Sequence, residues 1–289
     1  MLAASRTGAR LMATALAAGV GVVAVIFGAF AYDYDARARA LRTREVASHM
    51  LAVGRTTAWG VDAWLSERLH LVSGLAADLS ATGAGEDPVT LLRANAYQHR
   101  FIWTYVGETN GRYHIWPLDE ALPADYDPRT RPWYLTALSK GGPALTEPYR
   151  DITTNLETIT ASAPLYRDGS LGGVVGADFS TEELNAVLRE TKLGGLGHVF
   201  LTSSDGRVLS HPDPAQIGKP LLALFDGDAP RLDDSVQEAR IGGAEKFVAF
   251  VRASENPLID WRLAVVVDQD AAFTGLSEFR RSAALAALS

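Results

Sequence analysis

The chain has 289 residues, room for one large or two modest domains, and its 47% hydrophobic and 21% charged residues are those of a folded protein with an apolar addition. A formal charge of −7 and the lack of any Lys/Arg block speak against a nucleic-acid face. Zero cysteines exclude thiol catalysis, thiolate metal sites and disulfides, and leave the compartment open.

Residues 1–10 carry Arg6 and Arg10 and lead into a charge-free apolar run, residues 11–32. About 20 helical residues cross a bilayer, so the run is read as a transmembrane helix. The two arginines place the N-terminus in the cytoplasm and everything after Tyr32 outside. The rival is a cleavable signal peptide, because Ala29-Phe30-Ala31 fits a small-x-small cleavage site. Cleavage would release a soluble periplasmic amino-acid or amine binding protein. The run is longer than a usual signal core, which favours the anchor, and either reading exports the bulk of the chain.

Residues 33–80 read as a stalk, helical from about Ala36 to Ser80. Val61, Leu65, Leu69, Val72, Leu75 and Leu79 recur every three or four residues as one apolar stripe. Such a stripe suits a homodimer formed through the long helix, or burial against the chain's own domain. Gly54 and Gly60 weaken the middle and mark where a kink would fall.

The module spanning residues 81–193 opens with the helix-breaking ATGAGEDP (81–88), then a short helix from Pro88 to about Gln98. FIWTYVG (101–107) and RYHIWP (112–117) flank the turn ETNG as a β-hairpin. YDPRTRPWYLTALSK (126–140) is a loop entering a short helix. LTEPYRD, ETITASAPLYR and LGGVVGADFS follow as three strands, with an Asp168-Gly169 turn before the third. Thr181 to Lys192 reads as a helix capped by Ser180, with Glu183 three residues on.

In the module spanning 194–269, HVFLTSS and RVLSH form a hairpin around Asp205-Gly206, and GGAEKFVAFVRAS and WRLAVVVDQ supply two further strands. Strands in successive hairpins indicate an α+β class with antiparallel sheets, not a Rossmann-type sheet. Residues 270–289 read as a return helix with an apolar stub too short to span. The stub is expected to be the truncated start of a second transmembrane segment.

Seven residues stand out chemically: Tyr126, Arg131, Trp133, Tyr134, Tyr149, Asp151 and Asp178. A free amino acid needs a cation for its carboxylate and anions for its ammonium, and this set offers both. Arg131 presents a planar fork suited to a carboxylate, although a surface salt bridge is the ordinary fate of a single arginine. Trp133, Tyr134, Tyr126 and Tyr149 are either core packing or directed donors beside an apolar wall. Asp178 ends the apolar strand VVGAD, a poor place for an unpaired charge, while Asp151 is either a partner for an ammonium or a turn residue. Two buried carboxylates repel and one pKa rises; a bound ammonium relieves this. Six scattered histidines show no metal-binding spacing, so no metal site is expected. No nucleophile or nucleotide-binding motif occurs, and GGVVG (172–176) reads as a close-packed strand. Neither catalysis nor a cofactor is expected.

The run YDPRTRPWY, followed by EPYRD, ITASAPLY and GVVGAD, resembles the double Cache (dCache) sensor domains of bacterial transmembrane receptors, over roughly residues 36 to 280. The resemblance implies a long helix followed by two PAS-like antiparallel-sheet modules, the membrane-distal one (81–193) binding the ligand and the membrane-proximal one (194–269) leading back to the membrane. One branch of that family recognises amino acids through Tyr-x4-Arg-x-Trp-Tyr, then Tyr-x-Asp, then a later Asp, and all seven residues match it. By resemblance, Tyr126, Arg131 and Trp133 hold the ligand carboxylate, and Tyr134, Tyr149, Asp151 and Asp178 surround its ammonium. Arg131 favours an α-amino acid over a simple amine. The resemblance also implies a bacterial inner (plasma) membrane protein, its sensor domain facing the periplasm or exterior, serving a chemotaxis receptor or sensor kinase. The departure is that no output sequence follows.

Overall fold

The computed structural model describes residues 2–82, 87–191 and 193–273, with side chains from residue 18 onward. It divides into two compact units, residues 1–48 with 270–289, and residues 49–269. A single helix α1 (Leu2–Ala81) runs unbroken for 80 residues. From Ala18 on it contains a window of mean hydropathy 1.3, long and apolar enough to cross a membrane. Val25, Phe27 and Phe30 there are exposed. The return-helix expectation beyond residue 273 lies outside the described residues.

From His49 onward α1 serves as the spine of a two-sheet body. Val61, Leu65, Leu69, Val72, Leu75 and Leu79 are all buried within the single chain, so the stripe packs against its own domain. The helix continues unbroken through Gly54 and Gly60. A Cβ at Gly54 would lie 2.8 Å from Val265 Cγ2, so this glycine allows a strand to approach the helix closely.

The first sheet is antiparallel, in the order β2-β1-β6-β5-β3. Its strands are β1 (Trp103–Glu108), β2 (Tyr113–Trp116), β3 (Ala144–Leu145), β4 (Tyr149–Arg150), β5 (Glu157–Arg167) and β6 (Ser170–Ser180), with β4 also pairing β5. Two short helices, α2 (Val89–Leu92) and α3 (Asn95–Gln98), replace the single one expected over 88–98. The expected strand 145–151 is likewise split, into β3 and β4. The β5–β6 turn has positive φ at Asp168 (51°) and Gly169 (76°), as a two-residue hairpin turn demands. Helix α4 (Pro132–Lys140) lies against one face of the sheet. Helix α5 (Thr181–Arg189) follows β6, and Ser180 Oγ accepts from Glu183 N at 3.1 Å, the expected cap.

The second sheet repeats the plan in the order β8-β7-β11-β10-β9. Its strands are β7 (Gly197–Ser203), β8 (Val208–Ser210), β9 (Gln237–Ile241), β10 (Ala244–Arg252) and β11 (Trp261–Asp268). The sequence pattern missed β9, a charged strand at the sheet edge in which no residue is fully buried. The α+β class and the long helix followed by two antiparallel-sheet modules are thus as expected.

The alternation of β6 positions the site. Asp178 faces the side where Tyr105, Trp133 and Val174 cluster, while its neighbour Phe179 faces α1. Phe179 meets Trp64 edge-on at 5.1 Å, and the Arg68 guanidinium lies 3.3 Å from the Trp64 ring centre and pairs with Glu183 at 3.4 Å.

Candidate functional site

A cavity of about 20 Å³ opens on the α4 side of the first sheet. Six of the seven residues singled out by sequence line it: Tyr126, Arg131, Trp133, Tyr149, Asp151 and Asp178. Tyr134 does not. It is buried beside Trp133, with ring centres 5.5 Å apart, in the packed cluster under the site.

Local chemistry explains the placement of each group. Asp127 Oδ1 accepts from Arg129 N at 3.0 Å and caps a 3-10 turn at Pro128–Thr130, which runs directly into α4. Arg131 is the N-cap residue of α4 and Trp133 its second helical residue, so both project from the helix N-terminus. The partial positive charge of that terminus adds to the Arg131 cation. Arg131 lies with its guanidinium carbon 5.8 Å from the Tyr126 ring centre, and it makes no ion pair among the described residues.

Asp178 is the anionic counterpart. Thr160 Oγ1 and Tyr105 Oη both donate to its Oδ1, each at 2.5 Å. Tyr149 Oη and Thr160 Oγ1 share a further hydrogen bond of 2.8 Å. Among the described residues no hydrogen bond reaches Oδ2. Burial raises the Asp178 carboxyl to about 7, against the opposing pull of its two hydroxyl partners, and the nearby charge of Asp151 raises it further. The phenols of Tyr105, Tyr113 and Tyr149 are pushed well above their ordinary value, first by burial and then by neighbouring groups including Asp178. They therefore remain protonated donors at neutral pH.

Asp151 is the turn residue its sequence context allowed, and it also lines the cavity. Its Oδ1 accepts from Thr153 N (3.1 Å), Thr153 Oγ1 (2.9 Å), Thr154 N (2.8 Å) and Thr154 Oγ1 (2.7 Å), a turn motif. Burial raises this carboxyl, but the Thr154 and Thr153 bonds outweigh it and hold the pKa below the usual carboxylate value. Its Oδ2 receives no hydrogen bond among the described residues. The cavity thus has a cation at one place and, at another, two carboxylates that each keep one oxygen unused.

Sequence reasoning missed Tyr105 and Thr160, which orient Asp178, and Trp103, Tyr113, Ile115, Asp119, Leu122 and Ile152, which complete the lining. A signal for Tyr105 exists at Gly176. A Cβ at that position would lie 2.2 Å from the Tyr105 ring, so GGVVG is close-packed because a glycine opposite β1 makes the ring's seat.

A larger hollow of about 530 Å³ lies where α1 meets β10, between Trp59 and Arg252. It contains none of the seven residues. Three of its four acidic groups are engaged: Asp62 with Ser254, Asp233 with Arg231, and Asp234 with Arg55. Its size therefore does not make it the better candidate.

Comparison with known proteins agrees in fold and in extent. A family model described as Cache domain matches residues 38–276. The chain is 35% identical over 273 residues to the methyl-accepting chemotaxis protein PctB of Pseudomonas aeruginosa, covering 94% of the chain but only 43% of PctB. The ligand-binding domain of PctB in complex with L-Arg superposes with a TM-score of 0.75 at 34% identity, covering 80% of this chain and 98% of that one. The ligand-binding domain of the Pseudomonas fluorescens chemoreceptor CtaA in complex with L-isoleucine gives a TM-score of 0.76 at 31% identity, covering 82% and 98%.

Proposed function

The chain belongs to the Cache domain family, and from that premise we propose that it is the sensor part of a membrane-anchored chemoreceptor that binds a free α-amino acid in its first sheet module. One observation carries the reading. A buried carboxylate, Asp178, and an arginine, Arg131, line the same small cavity, Arg131 without an ion pair and each with hydrogen-bonding capacity unused among the described residues. For Asp178 this is costly in the free protein, because a buried charge without its partner loses solvation that nothing restores, and the half-buried Arg131 is left without its counter-ion. A zwitterion restores both at once. Its carboxylate takes the guanidinium fork of Arg131 with Tyr126 and the Trp133 indole alongside. Its ammonium takes the open oxygens of Asp178 and Asp151, with Tyr149 nearby. The amino-acid complexes of PctB and CtaA support the choice of ligand class.

The exposed apolar window of α1 supports anchoring in the inner membrane with the body outside, the first module distal and the second proximal. Because the chain spans 43% of PctB, the output step of such a receptor is part of the proposal. Binding would bias the arrangement of the module by the difference in ligand affinity between its two states. The path is short: Asp178 faces the cavity, while the adjacent Phe179 faces Trp64 of α1.

Calorimetry on the full chain in detergent micelles tests the reading, with α-amino acids compared against the amines that lack their carboxylate. Amino acids should bind and the amines should not. Arg131→Ala should weaken binding by about thirtyfold or more, as removing one partner of a buried charge pair costs about 2–5 kcal/mol. Equal binding of the amines, or undiminished binding by Arg131→Ala, would remove the carboxylate role.

A further inference from the structure

We propose that the preferred ligand carries a second cation on its side chain, as basic amino acids do, and that Asp119 is the residue selecting it. The inference rests on the amino-acid reading above and deepens it.

The carboxylates lining the cavity outnumber the partners that a neutral amino acid can give them. Arg131 faces three carboxylates, Asp119, Asp151 and Asp178. The ligand carboxylate occupies Arg131, and one ammonium serves the two aspartates with open oxygens, Asp151 and Asp178. Asp119 is left over. Among the described residues it makes no ion pair and a single side-chain hydrogen bond, from Ala121 N to Oδ1 at 3.0 Å. That bond makes a local turn and accounts for one oxygen. It does not account for the second, or for the residue lining a cavity that already holds an excess of negative charge.

The walls near it suit a long side chain ending in a cation. Ile115, Leu122 and Ile152 supply apolar surface for a methylene stem. Trp103 and Tyr113 supply aromatic rings, against which a guanidinium or ammonium is favourably placed. Asp119 and Leu122 sit on the irregular segment between β2 and the 3-10 turn. Its backbone hydrogen bonds are local, Leu122 N to Asp119 O (3.4 Å) and Tyr126 N to Pro123 O (3.0 Å). A cavity of about 20 Å³ is smaller than such a side chain, so the proposal includes a shift of this segment on binding.

The test is calorimetry on the full chain with L-arginine, L-lysine and L-ornithine against the neutral analogues L-citrulline, L-glutamine and L-norleucine. The basic ligands should bind on the order of ten- to a hundredfold more tightly, the range expected for a hydrogen bond to a charged group. In Asp119→Asn, which keeps the turn-forming oxygen, the basic-to-neutral ratio should collapse to within about threefold of one. Asp119→Glu should restore part of it. Neutral analogues matching the basic ligands in the wild-type chain would overturn the inference, whatever the variants do. So would a preference that survives in Asp119→Asn. If no amino acid of either kind binds the wild-type chain, the amino-acid reading itself fails, an outcome distinct from a site that binds amino acids without preferring basic ones.

Discussion

The two sheets share one topology and have opposite interiors. In each, the last strand of the module is central, flanked by the module's first strand and by the strand before it. Toward the end of that central strand the first sheet has Asp178, between Trp103 and Thr160, and the second has Val266, between His198 and Val248. Above Asp178 lies a helix whose first turn presents Arg131 and Trp133. Above Val266 lie Leu221 and Phe225, closing an apolar core with Phe200, Val248 and Phe250. The comparison teaches that the pleat does not dictate a pocket. A sheet face keeps a charged cavity when a buried carboxylate stands where an aliphatic residue could and the covering element brings a cation. The second sheet shows what the same scaffold does without them, which is to seal.

Breaking the sealed side should have the largest effect on stability. Phe200→Ala deletes a fully buried ring from the second core and should cost about 3–5 kcal/mol in denaturant or thermal unfolding. Amino-acid affinity should remain within about threefold. A loss of binding as large as the loss of stability would mean that the second sheet takes part in recognition.

Asp178→Asn tests the other side and should stabilise the ligand-free protein. The Asp178 carboxyl has a folded pKa of about 7 against an ordinary 3.8. Below about pH 4 both states hold the proton. Between about pH 4 and pH 7 the unfolded chain releases it while the folded chain keeps it, so stability falls as pH rises through that window. The fall is about 4 kcal/mol in all, because one pKa unit is about 1.4 kcal/mol. The Asn variant should lack this fall in pH-dependent unfolding and should bind amino acids at least about thirtyfold more weakly. A variant less stable than wild type at about pH 8 would contradict the assignment of Asp178 as a buried charge awaiting a partner.

The same carboxyl makes binding proton-linked. A ligand ammonium prefers the ionised form, so affinity should be nearly flat above about pH 8 and fall about tenfold per pH unit once the site is protonated, reaching about a hundredfold at about pH 5. Calorimetry near pH 6 in buffers of differing ionisation enthalpy should show close to one proton released per ligand. Tyr105→Phe, which removes one donor to Asp178 Oδ1, should lower affinity by roughly tenfold, since a hydrogen bond to a charged group is worth about 1.5–3 kcal/mol.

Much of this was legible in the sequence, for reasons specific to each element. The stripe from Val61 to Leu79 gave the buried helix face, and the turn at Asp168-Gly169 and the cap at Ser180 gave element ends. These signals are local and repeat at a fixed period. What escaped depends on partners distant in sequence. Strand β9 reads Gln-Glu-Ala-Arg-Ile and is a strand only because β10 offers it an edge. Gly54 looked like a helix breaker because the sequence does not show that Val265 approaches it. Tyr105 sits 73 residues from Asp178 and Thr160 sits 18 away, so their hydrogen bonds to its carboxylate carry no spacing signature. The candidate residues were readable because their side chains have a chemistry of their own, a guanidinium, carboxylates and rings, and Asp178 also ends the apolar run VVGAD. Those that orient them resemble ordinary strand residues.

Tyr134 separates what resemblance implies from what the geometry supports, and the effect expected there is the smallest. The family pattern assigns it to the ligand ammonium, yet it does not line the cavity. Its ring packs against Trp133 in the cluster beneath, and burial raises its phenol pKa, with the Arg129 charge opposing. Under the proposed function, a residue placed this way would act through the Trp133 wall rather than on the ligand. Tyr134→Phe keeps the ring and removes only the hydroxyl, so amino-acid affinity should change by less than about twofold. The equivalent change at Tyr149, whose hydroxyl joins the Thr160–Asp178 network, should cost several times more. If calorimetry instead shows the Tyr134 hydroxyl to matter as much as that of Tyr149, the first turn of α4 must rotate on binding to bring it to the ammonium. In that case the small cavity would be the closed face of a site that rearranges as the ligand enters.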